Sequence, residues 1–97
     1  PDSKCKSALE TLEKTLEHER SVTSRINDLV AQAEEDKDFG TRSFLQWFVD
    51  EQVEEESSFV ALVQLARMAG DNLLAFEDRV EKLMAAQVAA GKGAPVA

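Results

Sequence analysis

Apolar residues recur at intervals of three and four through two long stretches of this sequence, and one strong break separates the stretches. The first stretch contains Leu9, Leu12, Leu16, Val22, Ile26, Leu29 and Val30. The second contains Phe44, Leu45, Phe48, Val49, Phe59, Leu62, Val63 and Ala66. This is the spacing of an amphipathic helix, so the sequence predicts helices over roughly residues 7–35 and 41–69. Their similar lengths, about 43 Å each, and the short connection through Gly40 predict an antiparallel hairpin.

Local signals mark where the predicted helices begin and end. The string "SALE" at residues 7–10 has the form of a capping box, which places the start of the first helix there. Gly70 suits a left-handed stop at the end of the second helix. Asp71 or Asn72 can then cap a third, shorter helix over residues 71–89.

Composition limits the class of protein and its partners. The chain is 43% hydrophobic and 31% charged, which indicates a globular and not a disordered protein, with residues 1–97 as one small domain or part of a larger one. The tail at 90–97 consists mostly of small residues, and we expect it to be disordered. The formal net charge of -8 repels phosphate and anionic lipid, so nucleic acids and membrane surfaces are not expected partners. Cys5 is the single cysteine, and no apolar run reaches the roughly 18 residues of a membrane span, so we expect a cytoplasmic protein.

Polar side chains interrupt the apolar stripe of both long helices. On the first helix the stripe passes through Glu19, and on the second it passes through Gln52 and Glu55 before it resumes at Phe59. If the hairpin folds about residue 37, Glu19 and Glu55 lie at equal distances from the turn, and Gln52 lies within about one helical turn of that level, roughly 5 Å. The sequence therefore predicts that these three side chains meet.

Two carboxylates buried together need compensation by protons, cations or metal ions. Oxygen ligands that converge between helices are how helical bundles hold iron or manganese. The alternative is that Glu19 and Glu55 lie at the edge of the stripe as solvated or protonated groups. Spacing alone leaves both interpretations open.

Three strings resemble a known family. The string "SFLQWFVDEQVEEE" at residues 43–56, the "LEHE" turn at 16–19 and the "INDL" run at 26–29 are similar to bacterial non-haem ferritins. The resemblance covers roughly residues 7–85 and matches the C-terminal half of such a protein, with its third, fourth and short fifth helices. It implies an all-α, ferritin-like four-helix bundle, of which this chain supplies one antiparallel helix hairpin and a short C-terminal helix.

The same resemblance implies a function in iron storage and detoxification. In the family, a haem-free di-iron centre acts as a ferroxidase, which oxidises Fe(II) to Fe(III) with oxygen, and the mineral is stored in a shell of 24 subunits. The resemblance implies that Glu19 is an iron ligand, that Glu55 is a ligand or near ligand, and that Gln52 lies beside the second iron and the oxygen site. Glu51 and Glu54 match residues that hold a third iron in bacterial members.

The chain departs from the family pattern in one respect. The first two helices of a ferritin bundle supply a Glu-x-x-His pair, and none occurs in these 97 residues. The bundle would need a missing or separate N-terminal half, or self-association with a second copy of the chain. Ferroxidase activity is expected of the complete bundle and not of an isolated half. The alternative function is an orphan ferritin half that acts as a non-enzymatic helical oligomerisation module without iron turnover.

Overall fold

The computed structural model describes residues 3–90, which form three α-helices: α1 (Ser3–Glu35), α2 (Phe39–Ala69) and α3 (Leu73–Ala90). This stretch contains no strand, and the predicted all-α fold class is confirmed. The helices α1 and α2 lie antiparallel, because Arg42 contacts Glu34 close to the turn while Arg67 contacts Glu13 far from it. None of the helices within residues 3–90 is sufficiently long and apolar to span a membrane.

The turn between α1 and α2 depends on one residue with a positive φ. Lys37 has a φ of 57°, in the left-handed region that residues other than glycine rarely adopt. The backbone nitrogen of Asp38 then donates to the carbonyl oxygen of Ala33 at 2.8 Å, which closes the last turn of α1. The chain reverses within residues 36–38, so the hairpin connection is short.

Asp38 caps the start of α2. Its Oδ1 accepts from the backbone nitrogen of Thr41 at 3.1 Å, and its Oδ2 accepts from the hydroxyl of Thr41 at 2.6 Å. The helix therefore starts at Phe39 rather than at residue 41, and Gly40 lies inside its first turn rather than at a break.

The start of α1 differs from the prediction. Ser7 and Glu10 lie within the helix, where the carbonyl oxygen of Ser7 accepts from the hydroxyl of Thr11 at 2.9 Å. Residues 3–6 contain neither proline nor glycine, so the helical backbone extends through them and Ser7 does not act as a cap.

Gly70 ends α2 with a φ of 57°, and its backbone nitrogen donates to the carbonyl oxygen of Ala66 at 3.3 Å. Of the two candidate caps for α3, Asn72 is the one used, because its Oδ1 accepts from the backbone nitrogen of Ala75 at 3.0 Å. Of the tail predicted to be disordered, residues 90–97, Ala90 is the last residue of α3, and residues 91–97 lie outside the described residues.

The helices form a thin layer with a small core. The molecule measures 53 × 26 × 16 Å. Four apolar side chains are buried, and within the described residues no side chain is fully buried. The buried apolar residues are Leu16, Ala33, Val63 and Ala66. One layer of helices leaves apolar surface without cover.

Each long helix carries a glutamate between two apolar residues at seven-residue intervals, which places the three side chains on one face of the helix. These series are Leu12, Glu19 and Ile26 on α1, and Phe48, Glu55 and Leu62 on α2. All six side chains are partly or largely exposed. We call these six residues the open face.

Candidate metal centre

Glu19 and Gln52 are in direct contact between α1 and α2. Gln52 Nε2 donates to the carboxylate oxygen Oε2 of Glu19 at 3.1 Å and lies 3.1 Å from the backbone oxygen of the same residue. Only 9% of Gln52 is exposed, and it is the buried polar residue of the described chain. The predicted meeting of these two side chains is therefore present.

Thr23 joins this contact, although the sequence did not single it out. Its hydroxyl donates to the backbone oxygen of Glu19 at 3.1 Å, and its oxygen accepts from Gln52 Nε2 at 3.0 Å. Thr23 follows Glu19 by four residues, so the two lie one above the other on α1. Threonine hydroxyls in helices often donate to the carbonyl oxygen four residues earlier, so the spacing from Glu19 to Thr23 could have indicated this hydrogen bond.

Glu55 lies one turn beyond Gln52 and is exposed in this chain, and burial was one of the two interpretations that its spacing left open. The exposure has a physical reason, which is that no helix of the described residues packs over Glu55. The helix α3 reaches the other end of the open face, where Phe76 and Val80 line a groove with Leu12 and Leu62.

Partial desolvation still raises the pKa of the Glu55 carboxyl, and the negative charges of Glu19, Glu51 and Glu54 raise it further. The effect of Glu19 acts across the hairpin, from α1 to α2. A bound cation would relieve the repulsion between these carboxylates.

These carboxylates do not form a complete metal cage by themselves. Within the part of the chain that the structure describes, no three histidine, cysteine, aspartate or glutamate side chains lie close enough to hold a metal ion. Glu51 is half-buried and Glu54 is exposed on the same turns of α2. A cation beside Glu19 and Gln52 would therefore need ligands from elsewhere.

The chemistry of the donor set suits a hard cation. Carboxylate and amide oxygens are ligands that ferrous iron and manganese accept. Arg20, the cationic residue next to Glu19 in the sequence, lines a separate groove of about 600 Å³ together with Glu17 and Arg67. The residues of the open face thus fit one side of a metal centre, with oxygen ligands and an excess of negative charge.

Two further residues, His18 and Trp47, lie within one or two turns of these carboxylates along the helices. His18 is exposed, one position before Glu19. Trp47 is half-buried and packs edge-on against Phe48, with ring centroids 5.0 Å apart and an angle of 87° between the rings. Phe48 also contacts Phe44 at 5.5 Å, so three aromatic rings pack together on α2 one turn before Gln52.

The sequence and the structure both match known proteins. The family model of the ferritin-like domain matches residues 1–69. A bacterial non-heme ferritin from Staphylococcus haemolyticus is 46% identical over 72 residues, which cover 74% of this chain and 43% of that protein. A bacterial non-heme ferritin from Campylobacter jejuni is 43% identical over 72 residues, with the same two shares.

Among solved structures, an open-pore ferritin from the hyperthermophilic archaeon Archaeoglobus fulgidus superposes with a TM-score of 0.72 and 44% identity. The match covers 77% of this chain and 46% of the archaeal chain. The chain thus spans less than half the length of these relatives.

Proposed function

This chain belongs to the ferritin-like family, and we propose from that premise that it forms the carboxylate-bearing half of an iron-storage bundle. In this proposal the bundle is a ferroxidase: it binds Fe(II) as a substrate, lets oxygen oxidise it to Fe(III) and stores the product as mineral. The observation that carries the proposal is the contact between Glu19 and Gln52, with Glu55 one helical turn beyond Gln52 on α2.

Each side chain has a separate task in this function. Glu19 and Glu55 supply the anionic oxygens that bind and hold the cation. Gln52 supplies an amide oxygen beside them, because its nitrogen is engaged with Glu19 and Thr23. Glu51 and Glu54 add negative charge on the neighbouring face of α2, which raises the local cation concentration and offers a third iron site.

The open face needs a second layer before the centre is complete. Its six residues alternate apolar groups with carboxylates, so a covering layer would bury the apolar groups and bring further ligands to the carboxylates. We propose that an N-terminal half or a second copy of the chain supplies this layer. A 24-subunit shell in the cytoplasm, with a haem-free di-iron centre in each complete bundle, is the assembly that this function requires.

Aerobic addition of ferrous iron tests the function. Ferric product, followed by its optical absorbance, should form rapidly with the complete bundle and much more slowly after the substitution Glu55→Ala. Helicity should stay near normal in that variant, because the substitution removes a carboxylate that its neighbours repel. The substitution Glu17→Gln, at an exposed position that lines the separate groove, is the matched control and should leave the rate unchanged. An unaltered rate in the Glu55 variant would mean that the oxidation site lies elsewhere.

A second candidate function is an orphan half that associates through the open face without turning over iron. The observation that favours it is the lack of three clustered metal-binding side chains in the described residues, next to a face whose apolar groups are partly exposed. A chain with this function would self-associate and yet form no ferric product in the same assay.

A further inference from the structure

The amide nitrogen of Gln52 has more acceptors around it than it has hydrogens. Nε2 carries two hydrogens. Three oxygens lie within hydrogen-bond distance of it: Thr23 Oγ1 at 3.0 Å, and the backbone oxygen and Oε2 of Glu19 at 3.1 Å each. One of these three acceptors is therefore spare.

The hydroxyl of Thr23 can only accept from Gln52. Its own hydrogen is used towards the backbone oxygen of Glu19 at 3.1 Å, and a carbonyl oxygen has no hydrogen to give back. A hydroxyl with a free hydrogen could either donate to an amide oxygen or accept from an amide nitrogen, whereas the Thr23 hydroxyl can only accept from the nitrogen. The oxygen of the Gln52 amide is consequently directed away from Thr23.

We propose that Thr23 is a positioning residue, which holds the Gln52 amide while the carboxylate of Glu19 turns towards a divalent cation. With Thr23 present, one hydrogen of Nε2 is matched by Thr23 Oγ1, and the other is directed at the backbone oxygen of Glu19, which shares its lone pairs between Nε2 and the Thr23 hydroxyl. The carboxylate of Glu19 is then the spare acceptor, and it can leave without exposing an unpaired N–H in a half-buried site. The proposal rests on the function proposed above, because it takes cation binding by Glu19 as given.

The substitution Thr23→Val keeps the shape of the side chain and removes the acceptor. Both remaining acceptors then belong to Glu19, so its carboxylate must serve either the amide or the cation. We expect about tenfold weaker cation binding, the effect of one hydrogen bond to a partly buried amide. The substitution Thr23→Ser retains the hydroxyl and should restore the parent affinity. Thr23→Ala repeats the loss without a β-branched side chain, in case the valine variant folds poorly.

The matched control is Thr15→Val. The hydroxyl of Thr15 donates to the carbonyl oxygen of Thr11 at 2.8 Å, which is the same bond along α1 that Thr23 makes to Glu19. Both threonines are half-buried on α1. This variant removes an equivalent helix contact away from Gln52, and its Zn²⁺ affinity should equal that of the parent.

The test combines calorimetry with Zn²⁺ and nuclear magnetic resonance of the full chain labelled with ¹⁵N-glutamine. Gln52 is one of five glutamines in the sequence, so its side-chain signal is readily assigned by substitution. Zn²⁺ is diamagnetic and allows the signal to be followed during titration. In the parent and in Thr23→Ser, the Gln52 amide hydrogens should stay protected from solvent exchange after Zn²⁺ is added. In Thr23→Val and Thr23→Ala, they should lose protection as Zn²⁺ binds.

Parent-like affinity in both the valine and the alanine variants, with the Gln52 hydrogens still protected, would overturn the positioning role. An equal loss of affinity in Thr15→Val would also overturn it, because a general helix defect would then be the cause. If the parent chain bound no Zn²⁺, the positioning role would be overturned for this chain. The proposed function would not fail with it, because ferric product formed by the complete bundle tests that function separately.

Discussion

Asp38 binds both polar hydrogens of Thr41, with one carboxylate oxygen 3.1 Å from the backbone nitrogen and the other 2.6 Å from the hydroxyl. The two bonds start α2 directly after the turn at Lys37. They fix the direction in which α2 returns along α1, and hence which side chains of the two helices meet.

The first prediction concerns this cap. The substitution Asp38→Ala should lower the melting temperature by several degrees, because the first turn of α2 loses its acceptor. Asp38→Asn should lower it less, since the amide oxygen still accepts from Thr41. Asp28→Ala, which removes an exposed carboxylate from the middle of α1, controls for the change in charge and should have little effect. Equal melting temperatures for the parent and Asp38→Ala, by circular dichroism, would show that the cap is dispensable.

The cap also predicts a dependence on pH. The hydrogen bond from the Thr41 hydroxyl, followed by that from its backbone nitrogen, lowers the pKa of the Asp38 carboxyl. A group whose pKa is lower in the folded chain stabilises it above the pKa of the unfolded chain, and this stabilisation is lost as pH falls through the folded value. The difference in melting temperature between the parent and Asp38→Asn should therefore shrink in acid. A difference that stays constant from neutral pH into acid would contradict this assignment.

Glu55 should give the opposite dependence on pH. Desolvation first, and then the charges of Glu19, Glu51 and Glu54, raise its pKa in the folded chain. The ionised carboxylate therefore opposes folding, with full effect above the folded pKa and no effect below the unfolded one. Glu55→Gln should raise the melting temperature at neutral pH and leave it unchanged well into acid. Glu17→Gln is the control and should give no comparable rise at neutral pH. If both variants melt alike at every pH, the repulsion at Glu55 is negligible.

Divalent cations should stabilise the assembled chain. Because Glu19 and Glu55 repel each other without metal, Mn²⁺ should raise the melting temperature near neutral pH, and more so above the raised pKa of Glu55. At a hundredfold excess over the dissociation constant the gain is about 2.7 kcal/mol. Glu19→Gln should remove most of the shift, whereas Glu17→Gln should preserve it. A shift of the same size in both variants would assign the effect to non-specific binding by an acidic surface.

Self-association should depend on the open face and not on the opposite side of the hairpin. Leu29 is 57% exposed one turn beyond Ile26, and Val53 is 67% exposed two positions before Glu55, on the far side of α2. The substitution Leu29→Asp places a charge beside the open face and should shift the 97-residue chain from dimer to monomer in sedimentation velocity experiments. Val53→Asp introduces the same charge at a similarly exposed site and should leave the dimer intact. A parent chain that sediments as a monomer would favour an N-terminal half as the covering layer.

The sequence alone predicted the antiparallel hairpin and the contact between Glu19 and Gln52. The spacing of the apolar residues indicated which faces of α1 and α2 pack together, and the position of the turn gave the register of the two helices. The pairing of Glu19 with Gln52 followed from their distances to the turn. The family could also be predicted, because the string around Gln52 is specific to it, and the comparisons confirm that prediction.

Other features depend on geometry that spacing does not encode. Four of the five residues before α2 are acidic, and Asp38 is the one that caps it, directly after Lys37 adopts a left-handed backbone conformation. Spacing left open whether Glu55 is buried, because its burial depends on a covering layer that this hairpin does not contain. The role of Thr23 was not predicted, because a threonine beside an apolar stripe usually packs against its neighbours and the sequence does not indicate its two hydrogen bonds. The roles of Glu19, Glu51, Gln52, Glu54 and Glu55 towards iron remain predictions.

The absence of any fully buried side chain in the described hairpin has a consequence for how its stability behaves on dilution. Exposed apolar groups stabilise a helical layer only after something covers them, so in a chain that pairs with a second copy much of the free energy of folding would come from association. The midpoint of unfolding would then rise with protein concentration, by mass action. Folding and pairing would form a single equilibrium, whose position protein concentration sets.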